Sequence, residues 1–160
     1  MAQHELILIR HAHAEAQAPS GRDIDRPLSA LGRTQAAAGA AWLAGHGIAS
    51  ARVLYSPALR TRQTCEALRR ELPVLELIEE TGIYEATPGE LIRIIERHRP
   101  APRLLLIGHN PGLESLVSLL AEGSSTQGRG MPTGAIARLS IPADRALEPG
   151  AARVVEFWWP

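Results

Sequence analysis

Leu6-Ile7-Leu8-Ile9 is a continuous apolar run that ends in the polar pair Arg10-His11. This is the pattern of a strand covered on both faces in a parallel sheet. Runs at residues 52–55, 74–78 and 103–107 resemble it, the last ending in Gly108-His109-Asn110. Between the runs, helical spacing predicts helices over 30–44, 57–72, 88–98 and 111–121. Ser29 reads as the N-cap of the first, with Leu31, Gln35, Ala38 and Trp42 on one stripe and Gly45 and Gly47 past its end. Ser56-Pro57 reads as the N-cap and first-turn proline of the second, whose apolar stripe includes Leu59, Cys65 and Leu68. Leu91, Ile94 and Ile95 face inward on the third, and Pro111 opens the fourth. Residues 14–27 read as a polar loop. Residues 121–134, rich in glycine, serine and threonine, read as a mobile surface loop. Residues 136–141 and 153–158, joined by a turn-rich segment, predict an antiparallel hairpin. Strands alternating with helices over short connections imply an α/β three-layer sandwich around a mostly parallel sheet, with that hairpin at an edge.

Composition narrows the chemistry. The chain has 160 residues, 45% of them hydrophobic, and 17 basic against 17 acidic side chains, which suits a single domain over residues 1–160. Its one cysteine, Cys65, excludes an intramolecular disulfide framework and a multi-cysteine zinc site, and reads as a buried small hydrophobe. Every basic residue is arginine. Without lysine there is no Walker-type phosphate loop, Schiff base or pyridoxal anchor, so phosphate would be bound by arginine. A net charge of zero speaks against nucleic-acid and anionic-membrane partners. The apolar runs fall far short of the ~20 residues of a membrane span, and the N-terminus lacks the pattern of a signal peptide. The expected location is the cytoplasm.

In an open α/β sheet, ligands bind past the carboxyl ends of the strands. There the sequence places Arg10-His11-Ala12-His13, the helix carrying Arg60 and Arg62, and His109-Asn110. Two histidines and an arginine converging near helix N-termini would form an oxyanion or phosphate site. Arg97-His98, by contrast, lies at a helix C-terminus, where cations are favoured in any case. Arg62, two residues from Arg60, faces another direction on the helix.

Four segments carry a family resemblance: Leu8-Ile9-Arg10-His11-Ala12; Asp25-Arg26-Pro27-Leu28-Ser29 with Gly32 and Gln35; Tyr55-Ser56-Pro57-Ala58-Leu59-Arg60-Thr61-Arg62-Gln63-Thr64; and Ile107-Gly108-His109-Asn110-Pro111. In this order they resemble the histidine phosphatase superfamily. The chain length and Met131-Pro132-Thr133-Gly134-Ala135 are similar to its SixA-type phosphohistidine phosphatase branch. The resemblance implies a phosphoglycerate mutase-like fold and a hydrolase without metal or organic cofactor. It makes His11 the nucleophile that accepts a phosphoryl group, with Arg10, Arg60 and a protonatable His109 around it. A histidine nucleophile must be neutral at the attacking nitrogen, so its other nitrogen needs an acceptor, such as a backbone carbonyl.

Two departures bear on this reading. Ala12 stands where many members have glycine, so the backbone there must not need positive φ. The general acid that ester hydrolysis requires falls to Glu85, with Glu80 behind it, yet a phosphohistidine substrate leaves as imidazole and can dispense with one. His11-Ala12-His13 also matches the His-x-His metal pair of zinc-dependent barrels, which need ~250 residues. With no insertion long enough to form a cap, an open pocket suits a phosphohistidine-bearing protein in signal transduction. A small phosphomonoester is the second substrate class, a mutase a more distant one, and a non-catalytic phosphoryl-binding module the contrasting one.

Overall fold

The computed structural model describes residues 2–126 and 130–160. Six strands form one sheet: β1 (Gln3–Arg10), β2 (Ser50–Tyr55), β3 (Val74–Glu79), β4 (Arg103–Gly108), β5 (Ile136–Pro142) and β6 (Arg153–Trp158), in the order β3-β2-β4-β1-β5-β6. The first four are mutually parallel, β5 pairs antiparallel with β1, and β6 pairs antiparallel with β5. Helices α1 (Ala30–Gly45), α2 (Leu59–Glu71), α3 (Pro88–Arg97) and α4 (Gly112–Glu122) cover it. Among the described residues no helix is long and apolar enough to cross a membrane.

The period-two alternation of the strands divides the core. Ile7, Ile9, Val53, Leu105 and Ile107 pack with Ala40 and Leu43 of α1 and with Cys65 and Leu68 of α2. Leu6, Leu8, Leu54, Leu104 and Leu106 pack with α3 and α4 on the opposite face. Each fully buried leucine or isoleucine contributes roughly 1.5–3 kcal/mol relative to an exposed one. Strand β1, central beside β4 and apolar on both faces, is therefore a firmly anchored platform, and the site is built at its carboxyl end.

Three expectations need correction. The inward stripe of α1 is Gly32, Ala36, Gly39, Ala40 and Leu43, one step round from the expected residues, and Leu31 is 55% exposed. Small residues win this face because the helix approaches the chain closely: a Cβ on Gly32 would lie 1.9 Å from the His13 carbonyl oxygen. Secondly, α2 begins at Leu59 with Ala58 at its cap position, and Ser56 does not cap it. The Ser56 hydroxyl instead accepts from the Ala58 N–H and pairs with His109. Thirdly, only part of the 121–134 stretch behaves as surface. Residues 127–129 lie outside the described residues, and Met131 is a core residue, 2% exposed. The polar stretch before α1 holds a 3-10 turn, Asp23–Asp25, and a bridge between Ala14 and Leu28.

Replacing Gly32 with alanine forces a methyl group into the His13 backbone, so the expected loss is at least about 2 kcal/mol. Gly45→Ala, with nothing within 4 Å of its Cβ, should change stability by less than about 1 kcal/mol. Urea denaturation of the two variants checks the contrast.

Candidate active site

The carboxyl end of β1 is clamped from three sides. The His11 N–H donates to the Gly108 carbonyl at 3.0 Å, and the Ala12 N–H donates to Thr64 Oγ1 at 3.1 Å. Gly134, at φ +76°, donates its N–H to the Arg10 and His11 carbonyls at 3.2 and 3.0 Å. Ala12 is fully buried, and Glu85 is the only non-glycine residue at positive φ among those described, so alanine is compatible with this turn.

This clamp holds the His11 ring with Nδ1 2.7 Å from the Ala12 carbonyl oxygen. A carbonyl can only accept, so Nδ1 carries the proton and Nε2 keeps its lone pair. His11 is 7% exposed. Burial pushes its pKa down to about 4, against the upward pull of the Ala12 hydrogen bond and with help from Arg60, Arg10 and Arg26. The ring is therefore neutral at physiological pH.

The other three expected residues gather around it. The His109 ring lies 5.2 Å from that of His11, centroid to centroid. Arg60 Nη2 donates to His109 Nδ1 at 3.4 Å, which leaves the His109 proton on Nε2, 2.8 Å from Ser56 Oγ. Burial, reinforced by His11 and Arg60, pushes His109 down to about 3, with Asp23 opposing. His109 is thus a neutral ring with a hydrogen bond at each nitrogen. Arg10 enters from the β1 terminus, and its Nη1 donates to the Met131 carbonyl at 2.9 Å. Asn110 Nδ2 shares that carbonyl at 2.8 Å, so the glycine-rich segment contributes a fixed acceptor to the site. The Nε atoms of Arg10 and Arg60 are buried and have no hydrogen-bond partner.

Comparison with known proteins gives this constellation its context. Residues 6–105 match the model of the histidine phosphatase superfamily, branch 1. The chain is 32% identical over 153 residues to a protein of unassigned function from Picosynechococcus, covering 94% of this chain and 88% of that one. The structure assigned as phosphohistidine phosphatase SixA from Agrobacterium tumefaciens superposes with a TM-score of 0.85 at 26% identity, covering 100% of both chains. A protein histidine phosphatase SixA complexed with tungstate gives 0.80 at 25% identity, over 98% of this chain and 97% of that one. The chain belongs to the histidine phosphatase superfamily, in its SixA-type branch. Its six-stranded sheet and four helices match the phosphoglycerate mutase-like fold, and superfamily membership supports phosphatase activity.

Beside the four residues that resemble this phosphatase family's motifs lies a group that sequence reasoning missed. Asp23 accepts from Tyr84 Oη at 2.6 Å, Arg26 Nε at 2.9 Å and Arg60 Nη2 at 3.1 Å, while its carbonyl accepts from Arg60 Nη1 at 2.9 Å. The Tyr84 hydrogen bond, followed by those of Arg26 and Arg60, holds the Asp23 carboxyl far below the usual carboxylate range despite some burial. Nothing in the local sequence distinguishes Asp23 from Asp25, two residues on, which pairs with Ser20 and Arg22.

A cleft of about 460 Å³ opens over Arg60 and His109, walled by Asp23, Tyr84, Glu85, Pro88, Asn110 and Ser115. Glu85 is exposed and adopts φ 58°, a conformation that non-glycine residues seldom take. Glu80 is elsewhere, bound to His98 Nε2 at 2.8 Å and to Arg97, which makes His98 structural. Arg62 is exposed and pairs with Glu79. His13 turns away to Ser29 Oγ at 2.7 Å, and no trio of metal-ligating side chains converges among the described residues.

Both pocket histidines bind a proton less readily in the folded state than in the unfolded one, where the pKa is about 6.5. As pH falls below that value the unfolded chain takes up protons first. Stability is therefore fully present above about pH 6.5 and declines as pH falls toward 4 and 3. Urea midpoints between pH 6.5 and 4.5, above the carboxylate range, should show this slope, and a His11→Asn/His109→Asn double variant should flatten it.

Proposed function

We propose that the protein hydrolyses phosphohistidine on another protein through a phospho-His11 intermediate. The observation that carries this reading is the Nδ1–H···O bond to Ala12, which leaves His11 Nε2 as a fixed, unprotonated nucleophile. In the first step the Nε2 lone pair attacks phosphorus and a P–N bond forms. The bond from phosphorus to the substrate imidazole breaks, and the departing nitrogen takes the electron pair and a proton from solvent. In the second step water attacks phosphorus and gives up a proton to solvent, the P–Nε2 bond breaks, and its electrons return to His11. The products are the free histidine side chain and hydrogen phosphate.

Arg10, Arg60 and His109 form the phosphate-binding set in this reading. The phosphoryl group brings about two negative charges. Buried guanidinium donors placed before the reaction stabilise its transfer state without reorganising. A bound dianion also raises the proton affinity of His109. The open cleft suits a side chain presented by a protein. No lysine-dependent or metal-dependent step is invoked, and a cytoplasmic enzyme without nucleic-acid or membrane partners accords with the neutral charge balance.

One observation favours a second reading, a small-molecule phosphomonoesterase. Glu85 lines the cleft in a conformation that is expensive to hold, which suits a general acid for an alkoxide leaving group. The two readings separate cleanly. In buffer containing EDTA, phosphohistidine peptide should be hydrolysed faster than glycerol 3-phosphate, and Glu85→Gln should leave the peptide rate within about threefold. Loss of peptide hydrolysis by about 100-fold in that variant, or preference for the ester, would favour the phosphomonoesterase. A protein that binds vanadate and turns over neither substrate would be a binding module.

A further inference from the structure

Asp23 has a place in the cleft that phosphoryl transfer itself does not require. Its side chain is 52% exposed, yet it holds three hydrogen-bond donors from three parts of the chain: Tyr84 after β3, Arg60 on α2 and Arg26 before α1. The residues lining the cleft include two carboxylates, Asp23 and Glu85, and one guanidinium, Arg60. Arg60 already directs both Nη atoms at Asp23, and the neighbouring Arg26 is engaged by Asp23 and by the Glu15 carbonyl. Once a phosphoryl group occupies Arg10 and Arg60, the outer part of the cleft therefore presents negative charge, with no unengaged cation among its lining residues.

We propose that Asp23 is a specificity-determining residue: its carboxylate at the cleft wall disfavours leaving groups that carry their own negative charge and favours neutral or cationic ones. The inference rests on the phosphatase reading above and deepens it, because an imidazole is neutral or cationic whereas many small phosphomonoesters bear a second acidic group. Like charges a few ångströms apart at a partly screened site differ in interaction by enough to change relative rates about fivefold to tenfold. Glu85 adds to the same field, but it makes none of the hydrogen bonds that hold Asp23 in place. Asp23 is thus the element of the selection that hydrogen bonds fix in place.

The test uses two esters of nearly equal size, glycerol 3-phosphate and 3-phosphoglycerate, which differ by a hydroxymethyl group against a carboxylate. N-phosphoimidazole serves as the neutral nitrogen substrate. Wild type should show a kcat/KM for glycerol 3-phosphate about fivefold or more above that for 3-phosphoglycerate, and raising ionic strength should narrow the gap. Asp23→Asn keeps an acceptor for Tyr84 and should bring the ratio of the two esters close to one, whatever happens to the absolute rates. Asp23→Glu should restore discrimination.

A wild-type ratio near one, or one insensitive to salt, overturns the inference without recourse to a variant. An unchanged ratio in Asp23→Asn overturns it equally. If none of the three substrates is hydrolysed, the phosphatase reading fails and this inference with it. Equal hydrolysis of both esters removes the inference alone.

Discussion

The hydrogen bond from His11 Nδ1 to its neighbour's carbonyl organises everything else in the site. It selects one tautomer and one ring orientation, and so decides which nitrogen faces a ligand. Its acceptor is in turn immobilised. The Ala12 N–H is held by Thr64, whose hydroxyl donates to the Arg60 carbonyl, so the nucleophile and one of its cations share a frame. The Gly134 N–H holds the carbonyls just before that turn, and this requires the left-handed backbone that glycine supplies. A buried strand with no exposed face is the foundation, because a ring placed to within a few tenths of an ångström needs a platform that does not move.

Electrostatics set the second constraint. Bringing Arg10, Arg60 and Arg26 near one neutral histidine concentrates positive charge, and burial lowers the proton affinity of Arg10 as well as of both rings. The fold answers with Asp23 on one side and Glu114 on the other, the latter supporting the charged form of Arg10. The Nε–H groups of Arg10 and Arg60 nevertheless remain buried without a protein acceptor, as does that of Arg99 away from the site, and the first two lie together in one pocket. Such a pocket is arranged for an anion in advance of its arrival, and the rest of the domain supplies the stability that this arrangement removes.

How legible was this in the sequence? The parallel strands were plain, because four apolar runs ending in polar residues leave few alternatives. The convergence of two histidines and an arginine at one sheet edge was readable from their positions after strands, while the full set of Arg10, His11, Arg60 and His109 came with the family resemblance. The stripe of α1 was not, because apolar periodicity favours Leu31 and Trp42 while the packing rewards Gly32 and Ala36, whose value lies in what they lack. Ser56 looked like a helix cap for a sound local reason and was claimed by a histidine 53 residues away. Met131 sat in a stretch whose composition signals mobility, yet its side chain fills the core and its carbonyl steadies Arg10. Asp23 was invisible for the same reason: its partners, Tyr84 and Arg60, are distant in sequence and meet it only after folding.

The central claim is that His11 Nε2 carries the phosphoryl group, and rapid-quench analysis with a radiolabelled phosphohistidine peptide tests it most directly. The account predicts a protein-bound label that forms and decays within a turnover, is lost in acid, survives in base, maps to His11 and is absent from His11→Ala. Turnover without any such adduct, or an adduct that persists in His11→Ala, would contradict it and transfer the chemistry to direct attack by water or to another side chain.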